Sequence, residues 1–170
     1  MLSILFWFLI TLAIATLAAI VGKKYGVEYL IAMFAASIVI ANVVVSKVIE
    51  IGFFTATAGL VVYSITFLLT DTISEFWGKN EARKAIWAGF FSLLMMVATT
   101  QIAIRLAPAS GWEGQEAFAS VFSSTFRVSI ASLIAYVIAQ SHDIWSYHFW
   151  LKKTGRKHLW LRNNASTWVS

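Results

Sequence analysis

Long apolar runs interrupted by short polar turns dominate the chain, and their lengths predict helices sized to a bilayer. Leu2 to Val21 forms the first run, close to the roughly 20 residues that a hydrocarbon core requires. A second extends from about Tyr29 to Val45 and carries Asn42, and a third from about Phe53 to Thr70 ends at two carboxylates, Asp71 and Glu75. The fourth covers Ala85 to Arg105; Pro108 to Gly114 then breaks the pattern, with Glu113 and Glu116 making this the acidic loop. A fifth, longer helix is expected from near Ser120 to about Trp150. Beyond it lie a basic tail, Lys152 to Arg162, and a segment from Asn163 to Ser170 that begins a helix too short to span.

The fifth helix is polar on one face. Ser129, Ser132, Tyr136, Gln140, Asp143 and Tyr147 recur at spacings of three or four, which stacks them on one side. Such a stripe cannot face lipid, so it faces other helices or a water-filled site. Ala131, Ala135 and Ala139 beside it form a small-residue row suited to close helix packing. The plain alternative is that the stripe only joins helices, a role that fits Gln140 and Asp143 poorly.

Asp71 and Glu75 are four residues apart, so on a helix both carboxylates share a face, with Thr70 and Ser74 beside them. Burying a charge near lipid costs on the order of a few kcal/mol unless a partner or water relieves it, which makes the pair a candidate ligand site. The competing expectation is an exposed helix end, with Lys79 four residues past Glu75. Asn42 can donate and accept at once, suiting either a mixed hydrogen-bonding ligand or a helix contact. Arg127 is costly if it lies within the membrane, although its place near the start of the fifth span also lets it snorkel to the interface, as Arg105 is expected to do.

Composition agrees with the pattern. Of 170 residues, 59% are hydrophobic and only 12% charged, and a mean hydropathy of +0.77 places the chain in the helical membrane class. The continuous runs lack the alternation a membrane β-strand needs. The expected fold is all-α: a polytopic membrane helix bundle of five complete transmembrane helices plus the start of a sixth, a single domain over residues 1–170. With Lys23 and Lys24 following the first run and no base preceding it, that run reads as an uncleaved span.

The net charge of +5 reports topology, not nucleic-acid binding, because the bases sit in short loops. Lys23 and Lys24, then Lys79, Arg83 and Lys84, then Lys152, Lys153, Arg156, Lys157 and Arg162 fall in alternate loops. Positive-inside logic puts these in the cytoplasm and the N-terminus outside. Tryptophans 77, 87, 145, 150 and 160 flank the basic loops as an interfacial belt would.

Catalytic chemistry has no candidates. Cysteine is absent, excluding thiolate nucleophiles and thiolate metal sites. His142, His148 and His158 make no i, i+4 pair, so no metal is expected, and no phosphate loop or nucleophile elbow implies a cofactor. Gly22 and Gly26 match a helix-dimer spacing but enclose two lysines and read as a loop; Asn164-Ala165-Ser166 matches a glycosylation sequon on the expected cytoplasmic side.

Thr70-Asp71-Thr72-Ile73-Ser74-Glu75-Phe76-Trp77-Gly78-Lys79 followed by Ala82-Arg83 resembles the queuosine precursor transporter family, also called the vitamin uptake transporter family. So do Phe126-Arg127, Ala131 to Tyr136 with Gln140 and Asp143, and Leu161 to Thr167. The resemblance covers most of the chain from Asn42 onward. It implies a bacterial inner-membrane protein that imports a small molecule, queuine or a simpler 7-deazapurine precursor of that tRNA base. Similar proteins continue past the Ser-Thr stretch into further helices, so the resemblance also implies C-terminal truncation at Ser170.

A 7-deazaguanine presents adjacent N–H donors, which a carboxylate accepts in parallel. Asp71 and Glu75 therefore suit the donor edge, Asn42 or Gln140 the carbonyl edge, and Phe67, Tyr63 or Tyr136 the ring face. Asp143 and Arg127 complete the expected substrate-binding set. Without an ATP site in the chain, energy comes from a gradient, from metabolic trapping or from a separate energising partner. The alternatives to a self-contained transporter are a substrate-binding subunit of a larger complex and a non-transporting membrane scaffold.

Overall fold

Hydrocarbon surroundings force each segment to satisfy its own backbone N–H and C=O groups, and the apolar runs accordingly fold as helices. The computed structural model describes residues 2–123 and 125–154, with the backbone alone for 125–130. In chain order these are α1 (Leu2–Tyr25), α2 (Glu28–Val44), β1 (Val48–Ile51), β2 (Phe54–Thr57), α3 (Gly59–Phe76), α4 (Lys79–Arg105), α5 (Gln115–Phe122) and α6 (Thr125–Thr154). By length and composition α1, α3 and α4 can cross a membrane, and α2 is a shorter apolar helix. α6 has 30 residues, roughly 45 Å of rise against a hydrocarbon core of about 30 Å. The result is a helical, multi-pass membrane protein.

Three expected boundaries are corrected. The third span does not start at Phe53: residues 48–57 form an antiparallel hairpin, paired from Val48↔Thr57 to Ile51↔Phe54. Val, Ile, Thr and Phe favour extended backbone, and Gly52 supplies a φ of 64° in the two-residue turn. The all-α expectation therefore misses one small sheet. Because α3 begins at Gly59 and runs to Phe76, Asp71 and Glu75 lie inside the helix and not beyond its end.

The fourth helix starts earlier than expected, at Lys79, after a tight connection in which Gly78 takes a φ of 89°. The fifth run is divided into α5 and α6. Two glutamines fasten α5 to α4: Gln115 Nε2 donates to Ile104 O at 2.8 Å and Gln101 Nε2 to Phe122 O at 3.1 Å. Gly22, expected in a loop, belongs to α1.

The core gathers where α2, α3, α4 and α6 meet. Leu30, Phe34 and Ile38 of α2 pack with Ile65, Leu69 and Ile73 of α3, Ile86 and Leu93 of α4, and Leu133 and Ile144 of α6. Most of α1 presents Leu, Ile and Phe outward, with only Ala15 and Gly22 buried, as befits a lipid-facing helix. Close helix approach comes from glycine. An added Cβ at Gly59 would lie 2.5 Å from Ala41 O, so α2 and α3 can meet there only without a side chain. The Ala131, Ala135 and Ala139 row does not perform that role: Ala131 and Ala135 are exposed, and Ala135 and Ala139 border a cavity.

The basic clusters converge on one end of the bundle. Lys23 sits 5.5 Å over the Phe76 ring, joining the last turns of α1 and α3. Lys79, Arg83 and Lys152 all act electrostatically on His148 of α6.

Candidate functional site

Polar residues on α3 repeat every four positions, Thr66, Thr70 and Ser74, and Asp71 and Glu75 extend that face. All but Glu75 are buried, because the face meets the polar stripe of α6. Gln140 Nε2 donates to Thr66 Oγ1 at 3.1 Å, Thr70 Oγ1 lies 3.5 Å from Asp143 Oδ2, and the Tyr147 hydroxyl donates to Glu75 Oε2 at 2.6 Å. Residue numbers rise together on both helices, so α3 and α6 run parallel. Each contact joins residues more than 70 positions apart.

Gln140, Asp143 and Tyr147 are fully buried, and Tyr136, Asp71, Ser74 and Ser146 nearly so. The α6 stripe thus faces inward over Tyr136, Gln140, Asp143 and Tyr147. Arg127 and Ser129 belong to α6, but their side chains lie outside the described residues.

A cavity of about 310 Å³ opens nearer the hairpin, bordered by Asn42, Thr57, Tyr63, Ser132, Tyr136 and apolar neighbours. That volume is at the small end of the roughly 300–1,000 Å³ typical of small-molecule sites. Asn42 donates Nδ2 to Ile38 O at 2.9 Å, which leaves its carbonyl and one N–H for another partner. Tyr63 borders the cavity and also reaches Gln140, and it feels the charge of Asp143. It is therefore the link between cavity and network. Phe67 does not line the cavity; it meets Tyr63 edge-on, with ring centroids 5.5 Å apart.

Tyr136 reaches from α6 to α4, where its hydroxyl donates to Ile86 O at 2.7 Å. Gly89 makes the space: a Cβ there would come 2.5 Å from the Tyr136 oxygen and 2.9 Å from Phe34 Cε1. With its proton committed, Tyr136 offers the cavity a ring and lone pairs.

The structure separates the expected substrate residues into two groups. Asn42 and Tyr136 border the cavity, whereas Asp71, Glu75, Gln140 and Asp143 form the α3–α6 network. From Tyr63 to Asp71 is eight residues of helix, roughly 12 Å of rise. Thr66, Ser132 and Ser146 join the polar groups without having been singled out as binding residues. The hydroxyl repeat 66, 70, 74 was the available signal for Thr66. Nothing local pointed to Gly89, whose role depends on α6. Among the described residues no group of three His, Asp or Glu side chains is arranged to hold a metal ion.

Residues 57–170 match the protein family described as "Putative vitamin uptake transporter". A Bacillus subtilis (strain 168) protein named "Probable queuosine precursor transporter" is 34% identical over 167 residues, covering 97% of this chain and 72% of that protein. A Haemophilus influenzae protein of the same name is 31% identical over 91 residues, covering 54% of this chain and 37% of its own length. No solved structure matches the chain. The family match includes every segment of α3 and α6 that builds the network.

Proposed function

Because the chain belongs to the vitamin uptake transporter family, we propose that it imports a queuosine precursor, a 7-deazapurine, across the bacterial inner membrane. Two relatives bear the name of that substrate class. In this reading α1, α2, α3, α4 and α6 are five complete spans, and the end carrying Lys23, Lys79 and Lys152 faces the cytoplasm. The parallel course of α3 and α6 is consistent with an even number of crossings between them, counting α3's own.

The observation that carries the reading is the buried polar face shared by α3 and α6, approached from the cavity at Tyr63. Polar and ionisable groups kept from lipid at this expense serve a substrate or ion path by default. The base enters the cavity from the hairpin side, its ring against Tyr63 and Tyr136 and its edge on Asn42. Asp71 and Glu75 then accept its N–H donors deeper along α3, with Gln140 and Asp143 opposite them. Phe67, edge-on to Tyr63, and Arg127 complete the proposed substrate-binding set.

The test uses a bacterial strain that cannot make the precursor, supplied with a limiting external amount, with and without the full-length gene. Queuosine should appear in tRNA only when the gene is present. Equal tRNA modification in both strains would sink the transport reading and favour a scaffold. Uptake that requires a second protein in reconstituted vesicles would favour a substrate-binding subunit.

A further inference from the structure

We propose that the seam between α4 and α6, at the basic end of the bundle, binds the phosphodiester headgroup of an anionic phospholipid. Lys79, Arg83 and Lys152 form the clamp, and the exposed Trp87 and Trp145 flank the acyl chains. The inference goes beyond the transport reading and does not depend on it.

Helix spacing builds the clamp. Lys79 and Arg83 are four residues apart on α4, and His148 and Lys152 four apart on α6, so each pair stands on one helix face. The two helices are joined by the Tyr136 bond to Ile86 O, and Lys79, Arg83 and Lys152 all act electrostatically on His148. Three cations from two helices thus gather about one imidazole. Arg83 and Lys152 are exposed and Lys79 half-buried, which leaves them open to a ligand from outside the bundle.

No carboxylate answers these charges. All Asp and Glu side chains of the protein lie among the described residues, and the one described base held in an ion pair is Lys84, at 2.6 Å from Glu81. The remaining described bases at this end rest on rings: Lys23 over Phe76 at 5.5 Å, Lys24 over Tyr25 at 5.0 Å and Lys153 over Phe149 at 4.6 Å. Only the three that converge on His148 have neither. Like charges held together repel, and an anion between them reverses the sign of that interaction.

The surroundings select a lipid over a soluble anion. Trp87 follows Arg83 by one turn of α4 and Trp145 precedes Lys152 by two turns of α6, so each ring shares its base's helix face and lies deeper along the helix. Both rings are more than half exposed, at 55% and 54%. Cations at the rim with tryptophan beneath reproduce the order of a phospholipid, headgroup above and hydrocarbon below. Arginine's planar fork can bond two phosphate oxygens at once, while the lysines act as point charges.

The experiment uses purified full-length protein in an uncharged maltoside detergent, titrated with phosphatidylglycerol or with phosphatidylcholine of the same acyl chains. The unfolding midpoint should rise saturably with phosphatidylglycerol and not with phosphatidylcholine, as for any ligand that binds the folded state. Arg83→Gln combined with Lys152→Gln should raise the half-saturating lipid concentration roughly twentyfold, each charge near a membrane surface being worth about fivefold. Lys24→Gln combined with Lys84→Gln removes the same charge from the same end but outside the seam. At about 0.15 M salt, where exposed charges beyond roughly 8 Å are screened, this second pair should shift half-saturation less than about threefold. Should the first pair fail to fold, Arg83→Gln alone, with an expected loss of about fivefold, takes its place. A midpoint indifferent to phosphatidylglycerol overturns the proposal. Equal weakening in the two pairs assigns a diffuse attraction to the whole basic end and overturns it as well. An equal rise with inorganic phosphate at matched ionic strength assigns a soluble anion, and the lipid site falls.

Discussion

The Tyr147 hydroxyl donates to Glu75 Oε2 at 2.6 Å, closing the last turns of α3 onto α6. A hydrogen bond to a charged group contributes roughly 1.5–3 kcal/mol. Tyr147→Phe should therefore lower the thermal midpoint while leaving most uptake, because the carboxylate remains. Glu75→Gln should lower uptake well below that of Tyr147→Phe at matched expression. Equal uptake in the two variants would reduce Glu75 to a brace between helices.

Asp71 is buried on the same face of α3. Asp71→Asn replaces a two-acceptor anion with an amide bearing one acceptor and an unwanted donor. Uptake should fall by about one to two decades, the equivalent of roughly 1.5–3 kcal/mol, with normal membrane insertion. Unchanged transport in this variant would move the substrate site to the cavity alone.

Asn42 borders the cavity, and its one observed hydrogen bond is to its own helix at Ile38 O. Asn42→Leu should accordingly spare stability while raising the half-saturating precursor concentration for uptake about tenfold, the worth of a hydrogen bond near 1 kcal/mol or somewhat more. A fall in maximal rate with unchanged half-saturation would contradict a ground-state binding role.

Gly89 and Tyr136 form a steric pair. A methyl group at 89 would crowd the Tyr136 oxygen and displace its bond to Ile86 O, so Gly89→Ala should destabilise by about 1–3 kcal/mol. Adding Tyr136→Phe removes the clashing oxygen and should recover part of the loss, a coupling that a double-mutant cycle on thermal midpoints reads directly. Strict additivity would mean that Phe34, at 2.9 Å from the same methyl, carries the clash.

The lack of cysteine makes single-cysteine labelling clean. Phe53→Cys, at the fully exposed hairpin tip, should react with an impermeant maleimide added outside intact cells. Lys79→Cys should react only after permeabilisation. The reverse pattern would invert the proposed topology.

The sequence by itself determined which faces are polar. The three-and-four spacing of Tyr136, Gln140, Asp143 and Tyr147, and the four-residue spacing of Asp71 and Glu75, put these groups on single helix faces; a bilayer leaves such faces only the protein interior. Apolar run lengths likewise implied a helical membrane bundle, and the motif order on α3 and α6 pointed to the family. Tertiary structure alone decided what those faces meet. Periodicity shows the direction of a side chain around its own helix axis, not the partner across the gap. The parallel pairing of Thr66 with Gln140, Thr70 with Asp143 and Glu75 with Tyr147 joins distant segments whose alignment is set by core packing. The division between a cavity at Asn42 and Tyr136 and a network at Asp71 and Asp143 follows from that alignment. The hairpin at residues 48–57 was hidden because its Val, Ile and Phe are as apolar as a span, and cross-strand pairing distinguished them. Gly89 was silent for the same reason: its missing side chain matters only because Tyr136 arrives from another helix to fill the space.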